Sequence, residues 1–234
     1  VCSSDLRIIK AIIPTHVFGH ISNMGELIKL CKKYKLILIE DASEALGSYY
    51  KNKHAGTFGK LGVLSFNGNK IMTTGAGGAV ITNSKNLADR VRFLSTTSKR
   101  FRKNSLIYDE VGYNYKMPSL NAAMGIGQLK KFKEIKKNKK NLFKKYEKVF
   151  SNYRNIKVIK SPKNCESNYW LNAIKLKNTN FSKLFNIANR ENIQIRKIWS
   201  LINLGKEYRK YPKMKLNISN NLSKSIICIP SGAR

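Results

Sequence analysis

The sequence predicts an α/β fold on a largely parallel sheet, followed by a smaller α+β domain. Three observations carry this. Short runs of the kind that is buried on both faces recur at 8–17 (IIKAIIPTHV), 36–40 (LILIE), 61–66 (LGVLSF) and 77–82 (GGAVIT). Segments of helical spacing alternate with them, at 22–34 and 84–97. From about residue 118 the texture changes to a lysine-covered helix and then to strand-like runs around one further helix.

Each element has its own signal. Ser22 and Asn23 offer an N-cap to a helix whose apolar residues Met24, Leu27, Ile28 and Cys31 share one face. LILIE ends in Asp41, and LGVLSF ends at Ser65 and Phe66. The long helix reads from 118 to about 150, with a break expected near Gly125 and Gly127. Leu129, Phe132, Ile135, Leu142, Tyr146 and Val149 form its apolar stripe. NYWLNAIKLK and IICIP read as strands of the smaller domain, with a helix around 181–191. The opening residues, VCSSDL, differ in character from the rest, so residues 1–7 are read as a non-native leader.

Composition excludes several classes. The 234 residues carry a formal charge of +32, but from 35 lysines against 10 arginines, in a chain also rich in Asn and Ile. A scattered lysine excess of this kind reads as coding bias; a dedicated nucleic-acid surface would favour arginine. Along the long helix the aromatics sit in the apolar stripe and not among the lysines, which argues for a solvated rod. No apolar run approaches the roughly 20 residues that span a bilayer. Cys2, Cys31, Cys165 and Cys228 are far apart, with no CxxC pair and no histidine at metal-ligand spacing. No metal site is expected, and reduced thiols suit a cytoplasmic protein.

The chemistry centres on SFNGNKIMTTGAGGAVIT, residues 65–82. Lys70 stands between an Asn-Gly-Asn turn and a run containing Gly75, Gly77 and Gly78, which permit unusual backbone angles and close approach to a ligand. The run is neither a Walker A loop nor a dinucleotide fingerprint, because it leads into a strand. Ligands of open α/β sheets bind at the carboxyl ends of strands, where Asp41, Ser65 and Lys70 could converge. A lysine on a constrained loop facing an aspartate fits pyridoxal phosphate, which requires a Schiff-base lysine and a carboxylate on its ring nitrogen.

Three ordered blocks, EDASEALGS, SFNGNKIMTTGAGGAVIT and GYNYKMPSLNAAMGIGQL, together resemble the DegT/StrS-type family of sugar-nucleotide aminotransferases. The resemblance runs from about residue 8 to the end and is strongest over 36–129. It implies a fold-type I, aspartate-aminotransferase-like architecture: 8–127 as the C-terminal portion of a large cofactor-binding domain, 128–150 as an interdomain helix and 151–234 as a truncated small domain. The N-terminal part of the family's chain is expected to be missing. With LGSYYKNKHAGTFG, the pattern is most similar to members acting on nucleotide-linked 4-keto-6-deoxy-N-acetylhexosamines in bacillosamine- and legionaminic-acid-type pathways.

The resemblance also implies roles. Lys70 carries the cofactor and moves protons, Asp41 holds the ring nitrogen, and Glu44 lies near the phenolic oxygen. Ser65 contacts the phosphate, and Asn114 reaches it from a second copy in a homodimer with a shared active site. Lysine at position 70, where related 3-dehydratases have histidine, implies transamination. The donor is expected to be L-glutamate and the acceptor the C4 keto group of a nucleotide sugar. His54 either lines the substrate pocket or sits in a loop, and Arg196 and Trp199 resemble a segment near the substrate. His16 reads as a structural hydrogen-bonder. Lys116 stands where the family commonly has arginine, which weakens a bidentate contact. The competing readings are a basic nucleic-acid-binding protein and a non-catalytic paralogue of the same fold.

Overall fold

The computed structural model describes residues 9–177 and 180–232, so the leader expected at 1–7 and Cys2 lie outside the described residues. In chain order the elements are β1 (Ala11–Ile12), α1 (Met24–Tyr34), β2 (Ile37–Asp41), β3 (Tyr49–Tyr50), β4 (Lys53–His54), β5 (Leu61–Ser65) and β6 (Gly78–Ile81). There follow α2 (Lys85–Ser95), β7 (Lys99–Arg102), β8 (Ser105–Tyr108), α3 (Ser119–Phe150), β9 (Ile156–Val158), β10 (Cys165–Glu166) and β11 (Asn172–Leu176). The chain ends with α4 (Phe181–Arg190), β12 (Arg196–Lys197), α5 (Asn217–Ser223) and β13 (Ile226–Ile229). Two compact units result: residues 10–137 with 161–170, and chiefly residues 138–160 with the chain from 171 onward.

In the first unit the main sheet runs β1-β2-β5-β6. β1 and β5 flank β2 in parallel, and β6 closes the edge antiparallel to β5, with Ser65 opposite Gly78. A parallel neighbour needs a long crossover, whereas the loop 66–77 returns the chain directly beside β5; hence the one antiparallel strand in a sheet expected to be largely parallel. The first strand is shorter than its apolar run. Pro14 has no amide to donate to a ladder, and pairing resumes only as an isolated bridge from Thr15 to Asp41. Asn23 caps α1 by accepting the Glu26 amide, and Lys35 ends it in the left-handed region at φ 53°. The core joins Met24 and Cys31 of α1 to Leu38, Leu64 and the alanines 42, 45 and 55.

Gly62 shows how tightly this core is built. A Cβ there would lie 2.0 Å from the Gly56 carbonyl oxygen, a backbone atom. Gly62→Ala is expected to destabilise the protein by about 3 kcal/mol, through forced separation of β5 from the 55–59 turn. Urea denaturation measures it; an unchanged midpoint would contradict the close approach.

Helix α3 runs unbroken through both glycines. Gly125 is needed for proximity and not for a kink: a Cβ there would stand 2.9 Å from Thr74 Cγ2. One turn earlier, the Asn121 side-chain amide donates to the Thr74 carbonyl at 2.5 Å. The helix thereby braces the loop that carries Lys70. Of the expected stripe, Leu129 and Val149 are exposed and the other four half-buried; the aromatic that is buried, Phe143, lies outside it.

The second unit is an antiparallel sheet, β12-β13-β11-β9. Ile174, Leu176, Ile226, Ile227 and Ile229 are buried on it. Within the same unit the Lys139 ammonium reaches the Ser231 carbonyl at 2.5 Å. NYWLNAIKLK becomes a strand only from Asn172, because the residues before it are tied by side-chain hydrogen bonds instead of a ladder. No helix among the described residues is long and apolar enough to cross a membrane.

Candidate active site

Lys70 owes its position to the turn around it. Its amide donates to the Asn67 carbonyl at 3.0 Å, and the Phe66 amide and carbonyl close the loop onto Gly77 and Thr74 at 2.9 Å each. Ile71 and Met72 then plunge into the interior, leaving the Lys70 side chain only 14% exposed. Gly77, at φ 108°, takes a backbone conformation that a side chain would strain, and it packs on Met117. Nearly all of the lysine's main-chain freedom is gone before any ligand is considered.

Around the amine stand two groups. Glu44 Oε1 lies 3.8 Å from Nζ, and the Trp170 ring centroid lies 4.2 Å away. Trp170 is held in turn: its indole N–H donates to the Asn69 carbonyl at 2.7 Å, and its amide to Asn168 Oδ1 at 2.9 Å. Asn168 is fully buried and donates to the Glu44 and Leu46 carbonyls. Glu44 Oε2 accepts the Phe18 amide at 2.7 Å, presented by a left-handed residue at φ 60°. Burial pushes the Glu44 carboxyl above the usual carboxylate range and Asp41 adds to this, while the Phe18 amide and Lys70 oppose it.

Asp41 ends β2, and both of its oxygens are engaged. Oδ1 accepts the Ser43 amide at 3.1 Å and Oδ2 the Thr15 hydroxyl at 3.3 Å. Ser65 ends β5 and its Oγ accepts the Asn67 amide at 3.4 Å. Asp41, Glu44, Ser65 and Lys70 thus come from neighbouring strand ends of one sheet, as the sequence suggests. Asn114 sits elsewhere in the first unit, bridged to Thr96, where it lines a cavity of about 570 Å³ with Arg92, Lys99 and Lys116. Arg196, on β12, and Trp199, 52% exposed, belong to the second unit.

His54 does structural work. Its Nε2 accepts the Gly47 amide at 2.8 Å, so the ring proton is on Nδ1, which donates to the Ala55 carbonyl at 2.5 Å. Burial holds its pKa below the ordinary value of 6.5 and Lys136 adds to this; the Ala55 carbonyl and Glu40 act the other way. Burial likewise lowers His20, to about 4, with a buried Nδ1 that has no hydrogen-bond partner. Both histidines fold neutral, whereas the unfolded chain takes up their protons near pH 6.5. The stability they leave intact above that pH is therefore lost as pH falls toward 4. Thermal melts at pH 7.5 and 5.0 are expected to show a lower midpoint in acid, and His20→Asn to flatten the difference. A midpoint equal at both pH values would contradict this.

Two residues that matter gave little sign in the sequence. Glu40 hides inside the apolar run LILIE, yet it is fully buried and accepts from four donors. These are His16 Nε2 at 3.0 Å and the amides of Gly56, Phe58 and Gly59 at 2.8, 2.6 and 2.7 Å. His16 Nδ1 accepts the Ser22 amide, which fixes the proton on Nε2. The lone acid in a buried strand was the available signal. Trp170, a hundred residues from Lys70 in sequence, had none.

Lys70 is thus a part-buried amine held beside the Glu44 carboxylate at the strand ends of an α/β sheet. The chain belongs to the DegT/DnrJ/EryC1/StrS aminotransferase family, whose profile matches residues 6–234. It is 32% identical over 242 residues to EpsN of Bacillus subtilis (strain 168), covering 96% of this chain and 59% of EpsN. It is 35% identical over 165 residues to the GDP-perosamine synthase of Escherichia coli O157:H7, covering 70% of this chain and 44% of that protein. Among solved structures, Helicobacter pylori PseC superposes with a TM-score of 0.89 at 24% identity, covering 96% of this chain and 62% of PseC. The fold-type I α/β architecture expected from the resemblance is therefore the fold observed. The chain spans about 60% or less of the length of these proteins.

Proposed function

We propose that the full-length protein is a pyridoxal phosphate-dependent aminotransferase that converts the C4 keto group of a nucleotide-linked 4-keto-6-deoxy sugar to an amine, with L-glutamate as donor. The observation that carries this reading is the Lys70 amine, immobilised at the sheet's carboxyl edge 3.8 Å from Glu44. Support comes also from the name of EpsN, which includes the words "pyridoxal phosphate-dependent aminotransferase", and from a relative that makes GDP-perosamine.

The residues suit the cofactor. Asp41 has both oxygens fixed by the Ser43 amide and the Thr15 hydroxyl, so it is a pre-oriented carboxylate for a ring nitrogen bearing a proton. Lys70 would hold the aldehyde of that cofactor, Ser65 would contact its phosphate, and Asn114 of a second copy would complete the phosphate site in a homodimer. When bound there, the cofactor supplies an electron sink for charge developing at the carbon that carries the amine. The chain's own part is acid–base work: the Lys70 amine takes the proton from that carbon and returns it on the far side of the transfer.

The test is direct. Full-length protein, pyridoxal phosphate, L-glutamate and a 4-keto-6-deoxy sugar nucleotide should yield amino sugar and 2-oxoglutarate in equal amounts. Saturable, salt-sensitive binding to nucleic acid without any turnover would contradict the reading. For the shared site, equal mixing of Lys70→Ala and Asn114→Ala proteins should restore activity that neither has alone. The hybrid dimer would then hold one site with both native residues, and no recovery would contradict a site shared between copies.

A further inference from the structure

Glu44 is more elaborately held than a bystander near Lys70 requires. Its carbonyl accepts from Asn168 at 2.8 Å and its Oε2 from Phe18 at 2.7 Å, which leaves Oε1 facing the amine at 3.8 Å. The same buried Asn168 holds the amide of Trp170, whose ring face lies on the amine at 4.2 Å. Gly19 is part of this frame, since a Cβ there would strike Asn168 Oδ1 at 1.9 Å. One buried side chain thus orients both partners of the lysine.

We propose that Glu44 and Trp170 form a cation clamp, positioning residues that hold the Lys70 side chain in place whenever its amine is not bonded to another group. The proposal rests on reading Lys70 as the reactive amine of the site. A carboxylate and the negative face of an indole both attract a cation at these distances. Of the segments packed on Glu44, 17–19 brings the Phe18 amide and 167–170 the Asn168 amide and the Trp170 ring. The charged groups acting on it are Lys70 and Asp41. Burial makes Glu44 a better proton acceptor than an exposed carboxylate.

The experiment needs no catalysis. Full-length protein, cleared of bound aldehyde and without added pyridoxal phosphate, is methylated reductively with formaldehyde and cyanoborohydride at pH 8. The rate at Lys70 is read by peptide mass spectrometry against exposed Lys130 in the same sample. Glu44→Gln, which keeps an acceptor for the Phe18 amide but removes the charge that pins the amine, is expected to label Lys70 about tenfold faster than wild type. Glu44→Asp should fall between, and Trp170→Phe, which retains a ring face, should stay closer to wild type than Trp170→Leu. A wild-type rate at Lys70 in folded Glu44→Gln overturns the clamp. If that variant does not fold, Glu44→Asp decides in the same way, an intermediate rate supporting the clamp and a wild-type rate overturning it. Should the aminotransferase reading itself be wrong, turnover would be absent while the labelling difference persisted.

Discussion

Replacing Lys70 by alanine in the full-length protein is expected to reduce amino transfer by about three orders of magnitude or more and, in the same variant, to remove the visible absorbance of lysine-bound cofactor. Positioned proton transfer alone contributes about 10²–10⁴-fold, and the variant loses covalent attachment as well. The fold should survive, because the backbone contacts that shape the loop run through Phe66, Asn67, Thr74 and Gly77 and not through the lysine side chain. Circular dichroism and a thermal melt close to wild type would confirm that the loss is chemical. Retained turnover in that folded variant would remove Lys70 from the reaction.

The second large effect is on stability. Glu40→Leu leaves the His16 Nε2–H and the amides of Gly56, Phe58 and Gly59 buried beside hydrocarbon. Breaking a buried charged network by removing one partner costs about 3–5 kcal/mol, and in a chain of this size each kcal/mol is worth about 2–4 °C of melting temperature. A fall of about 6–20 °C is therefore expected by calorimetry. The pH dependence has a definite sign. Burial pushes the Glu40 carboxyl up, but the four donated hydrogen bonds outweigh it and hold the group below its ordinary value of 4.5. Its stabilisation is then fully present above pH 4.5 and is lost as pH falls through the lower folded value. Acid unfolding of Glu40→Gln should lack that limb. A melt unchanged by Glu40→Leu would contradict the network.

Much of the site was readable because its signals are local. A glycine-flanked lysine, an aspartate ending a buried strand and a serine ending the next can each be seen within a few residues, and the alternation of elements places them on one edge. What escaped notice depends on distance along the chain. Trp170 reaches Lys70 only because Asn168 is pinned under the Glu44 loop, a tertiary contact that no periodicity encodes. The expected helix break at Gly125 failed for a related reason: the glycine answers to Thr74, about fifty residues away in the loop that carries Lys70. The largely parallel sheet is as expected, but strand composition reports burial and not direction, so nothing in it singled out β6 as the reversed strand. His54, read as either a pocket or a loop residue, has both ring nitrogens engaged by backbone, a fact carried by Gly47 and Ala55 and invisible in its own neighbourhood of sequence.

The account stands on one amine among 35 lysines. Incubating the full-length protein with pyridoxal phosphate, reducing with borohydride and digesting it should give one dominant phosphopyridoxyl peptide, IMTTGAGG preceded by the modified Lys70. Label spread over surface lysines, or concentrated on any lysine other than Lys70, would contradict the claim that this loop holds the reactive amine.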